Sequence, residues 1–195
     1  MITEFEIRRN IFHIFYGIII LMSVYLDILT VFHLLMILGL GIVISFFSTL
    51  YKIPVIQWFI DRFERQHAIP GWGALTFLTG CIIVLFLFEK NTAYAGIMVL
   101  TFGDSFSHLA GMSFGKLKHP LNENKLVEGT IAGIIFGFLG ALLFVTPLAA
   151  FLGAFAGMFL EALEIKFRNI IIDDNIIVPI SSSFVIYLTL LGYSY

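Results

Sequence analysis

Seven apolar runs, near residues 10–26, 28–49, 72–89, 93–112, 128–145, 148–165 and 176–194, set what this chain can fold into. A hydrocarbon layer about 30 Å thick takes about 17–25 helical residues to cross. Lipid offers no partner to an exposed amide, so each segment must close its own backbone hydrogen bonds. The expected fold is all-α: a polytopic membrane helix bundle with about seven transmembrane helices, forming one domain over residues 1–195. Composition agrees, because 59% of the side chains are hydrophobic and only 12% charged, far from the balance of a soluble domain. Arg8 and Arg9 precede the first run as in a signal peptide, but Glu4 and Glu6 interrupt them and no small-x-small cleavage site follows. The first run therefore reads as a retained span.

Seven spans leave eight flanking segments, whose Lys and Arg counts in chain order are 2, 0, 3, 1, 3, 0, 2 and 0. Alternate segments hold 10 against 1. Short cytoplasmic loops are the ones enriched in Lys and Arg, so the N-terminus is expected in the cytoplasm and the C-terminus on the opposite side. The basic residues form no continuous run, which argues against nucleic acid as a partner. Cys81 is the single cysteine, excluding an internal disulfide and any multi-cysteine metal site.

Against this apolar background the polar residues need reasons. Asp104 lies inside the fourth run, where a carboxylate costs about 2.5–3.5 kcal/mol to insert and marks a functional site by default. His108, Gly111 and Gly115 continue its helical face; the plainer reading is an Asp104–His108 pair that neutralises itself. The following loop supplies Lys116, Lys118 and Lys125, then Glu128 at the head of the next span. Phosphate oxygens take lysine donors and helix N-terminal amides, and a metal that bridges phosphates takes carboxylates. Lys116 and Lys118 also serve as ordinary topology signals. Glu161 and Glu164 end the sixth run, and Asp173-Asp174-Asn175 open the seventh, where capping is the alternative role for Asp173. Topology carries Asp104, Glu128, Glu161 and Asp174 to one face, and converging carboxylates are costly unless they share a cation such as Mg²⁺. Gly129, Gly133 and Gly137, with Gly153 and Gly157, read as close helix contacts. The segment containing Asp61, Arg62, Glu64 and Arg65 reads as an amphipathic surface helix. Soluble nucleotide motifs fail, since Gly111 to Leu117 is one residue short of a Walker A loop and lacks its hydroxyl residue.

Three blocks resemble one family. Glu6-Ile7-Arg8-Arg9-Asn10-Ile11-Phe12-His13 with Gly17 is similar to an opening Glu-x-x-Arg-Lys-x-x-His pattern. Gly103-Asp104-Ser105, Gly111, Phe114-Gly115-Lys116 and Asn124-Lys125-Leu126-Val127-Glu128-Gly129-Thr130 are similar to a central Gly-Asp … Lys-x-x-Glu-Gly pattern. Glu161 with Asp173-Asp174-Asn175-Ile176-Ile177-Val178-Pro179 is similar to a closing Glu … Asp-Asn-x-x-x-Pro pattern. Together they resemble the CTP-dependent membrane lipid kinases, which include dolichol or polyprenol kinase, phytol kinase and fungal-type diacylglycerol kinase. Phosphatidate cytidylyltransferases share the central pattern, but their late His-Gly-Gly signature does not occur here. Ser105, Phe106, Ser107 and His108 depart from the small residues that usually follow the aspartate.

The resemblance implies transfer of the terminal phosphoryl group of CTP to a membrane lipid alcohol, with a polyprenol or dolichol as the favoured acceptor and Mg²⁺ as cofactor. It implies that Asp104, Glu128 and Glu161 hold the metal and that Lys125 meets phosphate oxygens. Asp174 with Asn175 would complete the metal shell or orient the acceptor, and either Asp104 or Asp174 would accept the hydroxyl proton. Arg8, Arg9 and His13 would close over the nucleotide, with Gly111, Gly115 and Lys116 on its binding side. A CDP-lipid synthase acting on a lipid phosphate, a kinase acting on diacylglycerol or phytol, and an ion or proton carrier using Asp104 and His108 are the alternatives. The enzyme is expected as a multi-pass protein with its site facing the cytoplasm.

Overall fold

The structure, a computed structural model, describes residues 3–51, 53–64, 69–163, 165–167 and 170–192. Lys52, Arg65, Glu164 and Arg168, which entered the charge pattern and the acidic cluster, lie outside the described residues. Helix α1 (Glu4–Tyr25) starts where the Thr3 side chain accepts the Glu6 amide at 3.3 Å, with Glu4 and Glu6 complementing the positive end of the helix. Asp27, in the left-handed region at φ 53°, turns the chain, and a Thr30–His33 capping pair starts α2 (Val31–Leu50). Pro54 opens α3 (Pro54–Phe63), a position where its missing amide would have had no helical partner. Gly71 (φ 78°) reverses direction into α4 (Trp72–Leu87).

A continuous helical column follows: α5 (Lys90–Met98), a π-helical segment (Val99–Asp104) and α6 (Ser105–Phe114). A small antiparallel hairpin, β1 (Lys118–His119) and β2 (Asn122–Leu126), leads into α7 (Val127–Ala141). Then come α8 (Pro147–Leu163), a second hairpin of β3 (Lys166–Phe167) and β4 (Ile170–Ile171), and α9 (Asp174–Gly192). By length and composition α1, α2 and α9 can each cross a membrane, and α4, α7 and α8 are shorter apolar helices. The expected all-α membrane bundle thus describes the architecture. The two hairpins were not expected, because their strands, two to five residues long, are too short to show a period.

The apolar core runs through α4, α5, α8 and α9, and between α7, α8, α9 and the π segment small residues let backbones meet. A Cβ on Gly133 would stand 2.9 Å from the Gly103 carbonyl oxygen and 3.0 Å from Ser107 Cβ. One on Gly157 would stand 3.3 Å from Val178. These contacts give the glycine repeats the packing role their spacing suggested. The segment expected to be an amphipathic surface helix is α3, with Val55, Trp58 and Phe59 exposed and the Arg62 guanidinium 4.4 Å from the Trp58 ring centre.

Candidate active site

The site begins with how closely α1 approaches the π segment. A Cβ on Gly17 would lie 2.7 Å from Thr101 Cγ2 and 2.9 Å from Phe77, so only glycine lets α1 come this near. One turn before Gly17, His13 packs edge-on against Phe77 at 4.7 Å between ring centres. Its Nε2 stands 3.7 Å from Asp104 Oδ2. Asp104 is the last residue of the π segment, a local widening that recurs at functional sites because it shifts the side chains that follow. One turn on, His108 joins it: Asp104, His108 and the buried Glu161 of α8 offer ligand atoms all within 4.8 Å of one another.

Lys125 reaches this cluster from β2. Its ammonium donates to Glu161 Oε1 and lies 3.4 Å from Asp174 Oδ2 at the head of α9. Burial alone would lower its pKa, but the Glu161 and Asp174 carboxylates more than offset that and hold the ammonium above the ordinary lysine range. One lysine does not satisfy the acids. Glu161 Oε2 and Asp174 Oδ1 are buried without a hydrogen-bond partner, as is His13 Nε2. Unpaired buried carboxylate oxygens are costly, so the cluster is shaped for a further cation or donor.

The cluster forms the polar end of a cavity of about 1000 Å³. Arg9, His13, Gly111, Lys125 and Asn175, expected on the nucleotide, and Asp174, expected to act in catalysis, all line it. Asn175 donates to Thr76 Oγ1 at 3.0 Å, and the Trp72 indole donates to Asp173 at 3.0 Å, fixing α4 to the start of α9. Arg9 also faces Glu6 at 3.2 Å.

Four expected site residues stand elsewhere. Glu128 does not join Asp104, because its carboxylate accepts the backbone amides of Lys116 at 2.9 Å and Leu117 at 3.2 Å, bracing the base of the β1–β2 hairpin. Lys116 is exposed, and its amide is the group Glu128 holds. Gly115 ends α6 and packs against Leu126 rather than lining the cavity. Arg8 is half-exposed and pairs with Glu4 at 3.6 Å. Glu64 was missed: it accepts the amides of Gly71 at 2.6 Å and Gly73 at 3.3 Å and stands on the cavity wall. Nothing in an acid seven residues before Gly71 signals that role.

Comparison with known proteins supports the sequence blocks. An uncharacterised protein of Methanocaldococcus jannaschii is 30% identical over 183 residues, covering 93% of this chain and 92% of that one. A protein of rice (Oryza sativa subsp. japonica) named probable phytol kinase 1, chloroplastic, is 32% identical over 124 residues, covering 57% of this chain and 39% of that one. CTP-dependent diacylglycerol kinase 1 of Schizosaccharomyces pombe is 24% identical over 147 residues, covering 66% of each. This chain belongs to the CTP-dependent lipid kinase family. It spans almost the whole archaeal relative but about two fifths of the rice one. No family model matches the chain, and no solved structure matches it. In this lipid-kinase family member the departures after Asp104 have places: Ser105 is fully buried, Ser107 packs beside Gly133, and His108 completes the cluster with Asp104 and Glu161.

Proposed function

We propose that the protein transfers the terminal phosphoryl group of CTP to the hydroxyl of a membrane lipid alcohol of the polyprenol class, giving a lipid monophosphate and CDP. The observation that carries this reading is one cavity with a charged end, Asp104, Glu161, Asp174 and Lys125, and an apolar wall. With a divalent cation shared by its carboxylates the first fits a triphosphate, and the second fits a hydrocarbon chain. Phosphoryl transfer asks mostly for positioning and charge neutralisation. Lys125 and Arg9 bind the phosphate oxygens, and His13 orients Asp104 from α1. The acceptor oxygen forms a bond to the γ-phosphorus as the bond from that phosphorus to the β-bridging oxygen breaks. The hydroxyl proton passes to a carboxylate of the cluster, Asp104 or Asp174. CDP leaves with the bridging oxygen.

The donor set also fits a divalent cation of the Mg²⁺ kind, a hard ion that takes oxygen ligands. Asp104, Glu161 and Asp174 would hold it, using the unpartnered oxygens of the last two, and His108 would hydrogen-bond a bound water. When bound, such an ion neutralises charge on the phosphates. The chain would cross the membrane seven times, with the α5–π–α6 column as one span. The α1 N-terminus, α3 and the β1–β2 hairpin, which carry most of the described cations, would face the cytoplasm together with the site.

The test uses purified protein with Mg²⁺, polyprenol, diacylglycerol and phosphatidate, and CTP labelled at either the α or the γ phosphorus. Label from γ in the alcohol product is the expected result. Label from α in the lipid would make the enzyme a CDP-lipid synthase. Label from neither, together with nucleotide-independent ion flux in liposomes, would make it a carrier.

A further inference from the structure

The cavity lining changes chemistry from one set of elements to another, and the apolar part can be called a second arm. From the Asp104 cluster it extends between α1, α2 and α4, lined there by Tyr16, Ile37, Gly41, Ile44, Leu75 and Leu78. Ile37, Gly41 and Ile44 fall at i, i+4 and i+7, one face of α2. That helix packs mainly on α4. Among its described residues only Leu34 and Ser45 are buried. Ser45, at the polar end of the arm, donates to the Pro70 carbonyl oxygen and ties α2 to the turn before α4. From Ser45 to Ile37 the arm descends about 12 Å along the helix at 1.5 Å per residue. A slot of this depth, apolar and next to a phosphoryl-transfer cluster, has one fitting occupant, the hydrocarbon tail attached to the hydroxyl that reacts.

We propose that this arm is the binding site for the acceptor's hydrocarbon chain and that Gly41 sets how wide and how long a chain it admits. The inference rests on the kinase reading of the polar end. A Cβ on Gly41 would meet one neighbour within 4 Å, Leu75 Cδ2 at 2.8 Å, the mobile end of a side chain that itself lines the arm. A larger residue at 41 is therefore accommodated by the fold while narrowing the arm between α2 and α4. The cluster of carboxylates is untouched, so the donor side should not sense the change.

The test compares the wild-type protein with Gly41→Leu, and with Ile37→Phe deeper in the arm, in nanodiscs with CTP and Mg²⁺. The acceptors are geraniol, farnesol and geranylgeraniol, which differ only in isoprene count. Each added hydrocarbon unit in a fitted pocket is worth roughly a tenfold preference or more. Both variants should therefore lower kcat/KM for geranylgeraniol at least about tenfold more than for geraniol, with KM for CTP unmoved. Ile37→Phe, at a half-exposed position, carries the test if Gly41→Leu does not fold. A chain-length profile parallel to wild type in both variants would overturn the inference and leave the arm as a space for bulk lipid. Failure of wild type to phosphorylate any prenol or diacylglycerol would instead remove the kinase reading, and this inference with it.

Discussion

The two sides of the bundle are built on different rules. On the α7–α8–α9 side, glycines, alanines and serines bring backbones into contact; Ala149, Ala150, Ala154, Met158 and Ala162 of α8 are fully buried. On the α2–α3 side large side chains such as Phe32, Leu40, Phe46 and Val55 are exposed, and α2 packs mainly on α4. The difference separates two tasks. Glu161 and Asp174 come from the close-packed side, where positions are held within narrow limits, as charge placement for phosphoryl transfer demands. The more exposed side bounds the apolar arm, through which, on the reading proposed above, a membrane-dissolved chain would pass in and out. His13 reaches into the cluster from α1, which packs on both α3 and α6, and Lys125 from β2, which packs on α7 and α8.

The strongest way to break this comparison is at the cluster. Asp104→Asn keeps size and hydrogen bonding but removes the charge, and turnover should fall by a factor on the order of 10²–10⁴ with expression and membrane insertion intact. Single-turnover transfer of γ-label to polyprenol reads it. Near wild-type turnover would dissolve the assignment of this end of the cavity.

A second pair of substitutions tests packing directly. Gly157→Leu forces a branched side chain into a site where even a Cβ meets the Ser182 hydroxyl and Val178. Overpacking of this kind costs about 1–3 kcal/mol or more and should lower the melting temperature in detergent by several degrees, on the order of the shift expected for a domain of this size. Gly39→Leu on α2 has open space around its Cβ and should leave the melting temperature near wild type. Equal shifts in the two variants would mean that α2 is as tightly held as α8.

How much of this was legible in the sequence follows from which forces are periodic. Apolar runs and small-residue spacing are local, so the helices and the close contacts of Gly133 and Gly157 could be read off directly. Asp104, Glu161, Asp174 and Lys125 were legible because a charge beside a membrane core needs a reason. His108 was placed on the right face but its partnership with Glu161 was not visible, since that depends on how α8 docks. The π segment left no trace, because one shifted hydrogen-bond register leaves the apolar pattern intact. Arg8 and Glu128 were expected at the cluster and Glu64 was not, for a common cause: a charged side chain near a turn can serve backbone amides or a neighbouring charge instead of a ligand, and only the fold decides which.

Glu128 gives the finest test of that last point. Its carboxylate holds the Lys116 and Leu117 amides, and so fixes the hairpin from which Lys125 reaches Glu161. Glu128→Gln keeps an acceptor oxygen but loses the charge assistance, and part of the interaction survives through the amide oxygen. Transfer should fall roughly tenfold, with the Mg²⁺ concentration for half-maximal activity unchanged, because the residue acts through Lys125. Glu128→Ala should cost more, since it removes the acceptor altogether. A metal ligand would behave differently: Glu128→Gln would then match Asp104→Asn in severity and raise the Mg²⁺ requirement, and the hairpin would have to rearrange to bring Glu128 to Asp104 when nucleotide binds.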